Sequence, residues 1–255
     1  MKDILSGASL EVLQQFAWSK VLLAFDYDGT LAPIVRDPDR ARMREVTRRL
    51  LGQLALRYPC IVISGRSRPD VRRWLGGIRL EQVVGNHGIE PWQASRPLMD
   101  EVARCAPLLQ GCLSSLKGVR IENKSFSISV HYRHSREKKK ALAAILEAAA
   151  RLGPVRVIGG KQVVNVLPLE APHKGMALER ERERLGCDTA IYVGDDQTDE
   201  DVFALDQPGR LLTIRVGARK SSQATYFLRN QAAVDDLLGR LLRLRPAPAR
   251  ASARS

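Results

Sequence analysis

The sequence predicts a doubly wound α/β core, built on a parallel sheet, with a smaller α+β unit inserted into it. Three observations predict this. Short apolar runs at 21–25, 60–63 and 190–193 lack polar alternation, as strands buried on both faces do. Helical spacing fills the intervals between them. Between about 93 and 169 the strands instead acquire a period of two, which implies a sheet with one buried and one polar face. The chain leaves the parallel pattern, builds a second unit and comes back.

In chain order, residues 8–17 read as a short amphipathic helix. The run Val21 to Phe25 stops abruptly at Asp26-Tyr27-Asp28-Gly29-Thr30. Residues 40–57 have helical spacing, with Met43, Val46, Leu50, Leu51 and Leu54 on one side. The run 60–63 ends at Ser64-Gly65-Arg66, and a helix follows at 68–75. Val83 and Val84 lead into Gly85-Asn86-His87-Gly88, where Asn86 suits a left-handed turn. Residues 98–116 read as a helix, and 119–123 and 127–133 as strands. In the second strand Phe126, Ile128, Val130 and Tyr132 alternate with Ser127, Ser129, His131 and Arg133. A helix at 136–151 and strands at 155–158 and 162–167, joined at Gly159-Gly160-Lys161, complete an αββαββ unit with an open-faced sheet. The Glu/Arg run of the helix at 174–185 reads as a solvated face with local ion pairs. The run 190–193 ends at Gly194-Asp195-Asp196, 211–216 is a further strand, and 231–244 a last helix. The expected division is a core of 1–92 and 170–245, an inserted unit of 93–169, and a basic, disordered tail of 246–255.

With 255 residues, the chain has room for one or two domains. Hydrophobic residues at 44% and charged ones at 27% argue against a disordered or fibrous chain. No apolar run approaches the roughly 18 residues a bilayer span needs, and Lys2, Asp3 and Glu11 interrupt any signal-peptide core. The net charge of +13 admits a nucleic acid, a membrane surface or an anionic small substrate as partner. An aromatic content of 5% is thin for stacking on bases, and no nucleic-acid motif is present. Cys60, Cys105, Cys112 and Cys187 show no zinc spacing, and free thiols suit a reducing cytoplasm. Cys105 and Cys112, seven apart, are expected to share one helical face as packing residues. No heptad run fixes an oligomeric state.

Ligands of open α/β sheets bind beyond the carboxyl ends of the strands. Three of the buried runs end there in polar clusters, Asp26/Asp28, Ser64/Arg66 and Asp195/Asp196, and Lys174 opens a helix after Pro172-His173. Carboxylates that close repel unless a cation or proton intervenes. Hard oxygen ligands suit Mg²⁺, and a lysine offsets the remaining charge. A carboxylate nucleophile in such a setting is a route to an aspartyl-phosphate.

Asp26-Tyr27-Asp28-Gly29-Thr30-Leu31 resembles the first motif of the haloacid dehalogenase superfamily of phosphotransferases; Ser64, Lys174 and Gly194-Asp195-Asp196 fit the other three. A narrower resemblance, to trehalose-6-phosphate phosphatases, rests on residues 28–34, Ile63-Ser64-Gly65-Arg66, Gly85-Asn86-His87-Gly88, Glu122-Asn123-Lys124, His131-Tyr132-Arg133 and residues 194–200. It implies a Rossmann-like core with a cap domain at 93–169. It implies that Asp26 attacks phosphorus and that Asp28 protonates the leaving oxygen and then activates water. Ser64 and Lys174 would hold phosphoryl oxygens. Asp26, Asp28 (through its carbonyl) and Asp195 would bind Mg²⁺, with Asp196 and Asp199 as ligands or neighbours of ligands. Thr30 either positions the phosphoryl group or caps the turn. Gly65, Arg66 and His87 sit where substrate contact and loop bracing are both open. In the cap, Glu122, Lys124, His131, Arg133, Lys161 and Asn165 would read the sugar.

The implied activity is release of phosphate from trehalose 6-phosphate. The family pattern places a glutamate where this chain has Asn165, which leaves open another sugar phosphate, such as a glucosylglycerol or mannosylglycerate precursor. A phosphoacceptor switch, a phosphomutase and a basic nucleic-acid-binding protein are the rival classes. The expected partner is a small sugar phosphate, with neither nucleic acid nor membrane.

Overall fold

The computed structural model describes residues 1–35, 37, 40–92, 96–160, 162–205 and 207–246. Lys161 and all of the tail but Pro246 lie outside the described residues. In chain order the core elements are β1 (Lys2–Asp3), α1 (Leu10–Trp18), β2 (Val21–Phe25), α2 (Glu45–Leu54), β3 (Cys60–Ile63), α3 (Arg68–Leu75) and β4 (Gln82–Val84). The smaller unit follows as α4 (Arg96–Leu113), β5 (Arg120–Asn123), β6 (Ile128–His131), α5 (Lys138–Ala150), β7 (Val155–Gly160) and β8 (Val163–Pro168). The core resumes with α6 (Lys174–Arg184), β9 (Thr189–Gly194), α7 (Glu200–Phe203), β10 (Leu211–Val216), β11 (Tyr226–Leu228) and α8 (Ala233–Leu244). No helix among the described residues is long and apolar enough to cross a membrane.

Seven strands form one parallel sheet in the order β1-β11-β10-β9-β2-β3-β4. Both faces are covered, which is why the central strands β2 and β3 read as unbroken apolar runs. In β2, Val21, Leu23 and Phe25 join the hydrophobic cluster that includes α1, α2, α3 and α8. Leu22 and Ala24 point the other way, into the cluster with Ala177 and Leu178 of α6 and Val202 and Phe203 of α7. The predicted class, a doubly wound α/β core with a separate antiparallel sheet, is the one found.

The second sheet, β5-β6-β8-β7, is antiparallel throughout. Ile128, Val130, Val164 and Val166 bury one face against Val102, Cys105 and Leu109 of α4 and Ile145 of α5. The opposite face looks back at the core, where Ile158 and Leu167 meet Ile89. Ser127 and Ser129, expected on an open polar face, are therefore buried at 1% exposure each.

Four other expectations are corrected. The helix predicted over 40–57 begins at Glu45, because Arg44 is still extended (ψ 149°). Val46 then faces out and Thr47 faces in, donating its hydroxyl to Asp235 Oδ1 at 2.7 Å. Cys105 is buried but Cys112 is exposed, since the buried stripe of α4 runs through Val102, Cys105, Leu109 and Leu113. The charged helix α6 does carry the local pairs Arg182–Glu179 and Arg184–Glu181, yet Glu181 and Arg182 are themselves buried. β1 and β11 close the edge of the large sheet and have no expected counterpart; at two and three residues they are too short to show a period.

Candidate active site

The strand order reverses between β2 and β9: the chain fills one side of β2 with β3 and β4, then returns to fill the other. Crevices at such a switch point hold ligands. Asp26 follows β2 and Asp195 follows β9, and the pairing runs to the edge, with the Asp26 N–H donating to Val193 O at 2.8 Å. The chain then folds back sharply, Gly29 N–H to Ala32 O at 2.7 Å and Ala32 N–H to Tyr27 O at 2.8 Å. Gly29 has φ +87°, and a Cβ there would lie 2.1 Å from an Asp195 carboxylate oxygen. A Cβ at Gly194 would lie 2.3 Å from the Asp199 carboxyl carbon. Glycine at these two positions leaves room for the acids.

Lys174, at the start of α6, is 1% exposed. Its ammonium donates to Asp26 Oδ1 at 2.7 Å and to Asp199 Oδ1 at 2.8 Å. Burial opposes its charge, but Asp199 and Asp26 outweigh that and raise its pKa. The Tyr192 hydroxyl donates to Asp199 Oδ1 at 2.6 Å, and the Asp195 and Asp196 N–H groups donate to Asp199 Oδ2, each at 2.8 Å. Asp199 thus accepts four hydrogen bonds, as many as a carboxylate usually takes. It orients the lysine and the 195–196 backbone. Asp196 turns outward and accepts from the Gln197 N–H at 2.6 Å.

Carboxylate oxygens of Asp26, Asp195 and Asp199 lie within 4.8 Å of one another. Burial, together with Asp199 and Asp195 and against the pull of Lys174, holds Asp26 well above the usual carboxylate range. Burial, then Asp199 and Asp196, push Asp195 up to about 8. Asp195 Oδ1 is buried without a partner among the described residues. Three crowded acids served by one lysine, with a buried oxygen left over, fit a hard divalent cation, whose charge would reverse both shifts.

Ser64, at the end of β3, is 1% exposed and its Oγ accepts from the Arg66 N–H at 3.2 Å. Thr30 is fully buried, its Oγ1 lacking a partner among the described residues. Arg66 grips Asp28 with two bonds, Nε to Oδ2 at 2.6 Å and Nη2 to Oδ1 at 2.7 Å. His87 is buried with φ +58°, its ring so close to Gly65 that a Cβ there would lie 2.5 Å away. Burial, aided by Lys174, lowers its pKa to about 3, so the imidazole is neutral. The His87 N–H donates to Ser64 O at 2.9 Å and the Asn86 N–H to Arg66 O at 2.7 Å, which ties this turn to the 64–66 loop.

A cleft of about 800 Å³ separates the sheet edge from the second unit. Asp28 and Arg66 line it from the core, and Glu122, Lys124, His131 and Arg133 from the smaller sheet. His131 Nε2 and Glu122 Oε2 are paired at 2.8 Å. Asn165 sits deeper: register aligns it with Ser129, whose hydroxyl donates to Asn165 Oδ1 at 2.6 Å. Arg120, Asn86 and Gln162 also line the cleft, and sequence reasoning assigned them no role there. Nor did it find Tyr192, which lies inside an apolar strand, or Arg215, whose guanidinium donates to the backbone carbonyls of Asp195 and Asp196.

A family model described as trehalose-phosphatase matches residues 24–232. The probable trehalose-phosphate phosphatase D of Arabidopsis thaliana is 32% identical over 263 residues, covering 91% of this chain and 70% of that one. A trehalose-phosphate phosphatase of Mycolicibacterium paratuberculosis is 37% identical over 194 residues, covering 70% of this chain and 49% of that one. Among solved structures, the trehalose-6-phosphate phosphatase of Aspergillus fumigatus superposes with a TM-score of 0.66 at 27% identity, covering 95% of this chain and 99% of that one. The C-terminal domain of the Candida albicans enzyme reaches a TM-score of 0.78 at 24% identity, covering 96% and 99%, and speaks for the fold.

Proposed function

Because the chain belongs to the trehalose-phosphatase family, we propose that it hydrolyses trehalose 6-phosphate to trehalose and phosphate, with Asp26 as nucleophile and Mg²⁺ as cofactor. The observation that carries this reading is the buried Asp26–Lys174–Asp199 network at the sheet edge, two residues from Asp28, which lines a cleft whose far wall is polar. Asp26 Oδ1 is held by Lys174, which leaves Oδ2 to attack phosphorus in line. Lys174 and the Ser64 hydroxyl then stabilise the charge on the phosphoryl oxygens, where fixed donors in a dry site are most effective. Asp26, Asp195 and the Asp28 carbonyl would hold Mg²⁺, which when bound would keep Asp26 ionised and offset the phosphoryl charge. Asp28 gives its proton to the departing sugar oxygen and takes one from the water that cleaves the aspartyl-phosphate. Both its oxygens are engaged by Arg66 in this conformation. The arriving phosphate competes for the guanidinium, which can grip phosphate with two bonds as it does carboxylate, and release of Arg66 would free Asp28. Residues 93–169 act as the cap, presenting Glu122, Lys124, His131 and Arg133 to sugar hydroxyls and excluding water on closure.

Phosphate release from trehalose 6-phosphate, set against a panel of hexose and disaccharide phosphates with Mg²⁺ or chelator, tests this. Preference for trehalose 6-phosphate, abolished by chelator, is expected. Greater activity on another sugar phosphate would keep the chemistry and replace the substrate. A phosphoenzyme that transfers its group back to sugar would indicate a mutase.

A further inference from the structure

A second cleft, of about 730 Å³, opens on the core surface between the segment leading into α2 and the end of α3, lined by Arg42, Met43, Glu45, Arg48, Arg73 and Trp74. The guanidinium carbons of Arg42 and Arg73 stand 4.9 and 5.0 Å from the Trp74 ring centroid. Arg48 is fixed beneath them, donating to Trp74 O at 2.8 Å and to Gly76 O. Three arginines therefore share a surface that stacking and backbone bonds hold in place.

Their surroundings are short of acids. Arg44, two residues from Arg42, is paired with Asp235 at 3.0 Å. Among the described residues, Arg42, Arg48 and Arg73 have no carboxylate partner, and Glu45 is the one acid lining the cleft. The indole Nε1–H of Trp74 is buried and lacks an acceptor among the described residues. Buried donors are almost always satisfied. This cleft is rich in donors and poor in acceptors, and guanidinium groups held in place are suited to bidentate recognition of oxyanions. A phosphate monoester in the active-site cleft leaves most of the +13 net charge unused.

We propose that this cleft is a second anion site, separate from the active-site cleft, that binds a phosphate-bearing small molecule through the guanidinium groups of Arg42 and Arg73 stacked on the Trp74 indole. The volume leaves room beside one phosphate group for a further moiety, such as a second phosphoryl group or a sugar.

The chain has three tryptophans, Trp18, Trp74 and Trp92. A Trp18→Phe/Trp92→Phe protein makes Trp74 the sole reporter. Its emission is followed on addition of pyrophosphate, glucose 6-phosphate or inorganic phosphate at constant ionic strength, without metal. A saturable change is expected with pyrophosphate or glucose 6-phosphate, with affinity at least tenfold weaker in Arg42→Gln/Arg73→Gln and weakened by less in Arg42→Lys/Arg73→Lys, which keeps the charge but loses the planar fork. Phosphate release from trehalose 6-phosphate by the Gln variant, with an unchanged melting temperature, separates loss of this site from loss of the fold. The proposal is overturned if emission follows ionic strength alone, if the Gln variant binds like its parent, or if only a DNA duplex gives a saturable response.

Discussion

The two walls of the active-site cleft are built in opposite ways. On the core side, behind the Asp28 and Arg66 that line the cleft, the charged groups are almost dry: Asp26 is 4% exposed, Lys174 1% and Asp199 0%, and Lys174 bonds both acids, at 2.7 and 2.8 Å. On the smaller sheet, Glu122 and His131 are each more than a third exposed as side chains and share one hydrogen bond. A dry, over-determined wall holds charge where it acts and pays no reorganisation at the moment of reaction. A wet wall adapts to hydroxyls and exchanges water for ligand at small cost. Substitutions on the two walls should therefore differ in kind: loss of rate or stability on one, loss of affinity on the other.

The largest effect tests the dry wall. Asp26→Asn should lower kcat by about 10⁴-fold or more while the protein still melts cooperatively, read from steady-state phosphate release and calorimetry. Retained turnover would move the nucleophile elsewhere. Lys174→Ala leaves Asp26 and Asp199 buried without their cation, and should cost roughly 3–5 kcal/mol of stability in metal-free buffer, measured by denaturant unfolding. Mg²⁺ should restore part of it. A cost below about 1 kcal/mol would mean that water reaches the network and the wall is not dry.

A pH series sharpens the same contrast through His87. Its pKa is lowered from 6.5 to about 3 by burial. Between those values the unfolded chain carries a proton that the folded chain does not. His87 therefore makes stability fall as pH drops from 6.5 towards 3, by up to about 1.4 kcal/mol per pH unit. His87→Asn keeps a residue that tolerates positive φ and removes the titration, so its unfolding free energy should depend less steeply on pH across that window. Identical slopes would place the imidazole in water.

On the wet wall, His131→Ala should raise KM about tenfold, near the value of a lost hydrogen bond to a charged or polar partner, with kcat changed less than threefold. A fall in kcat at constant KM would instead tie this residue to the chemistry.

Much of this was legible in the sequence, for reasons that differ by region. The ends of β2, β3 and β9 were legible because a strand buried on both faces is uniformly apolar, and the first polar residue marks where it leaves the core. In the smaller sheet the alternation located the strands but misjudged Ser127 and Ser129, because one face packs on helices and the other partly on the core. The short edge strands β1 and β11 had too few residues to carry a pattern. Tyr192 and Arg215 carried no local signal, since both are strand residues whose polar ends meet partners from other turns of the chain.

What the sequence determined by itself is therefore local: strand and helix periods, and the acids and glycines that must sit at the turns. Tertiary structure decided the rest. It spent the four lone pairs of Asp199 on Lys174, Tyr192 and two backbone amides, left Asp195 Oδ1 without a partner among the described residues, and closed Arg66 on Asp28. These depend on distances between residues up to 148 positions apart, and hydrogen bonds form over a few tenths of an ångström. Periodicity in a chain carries no information at that scale across separate elements; packing supplies it.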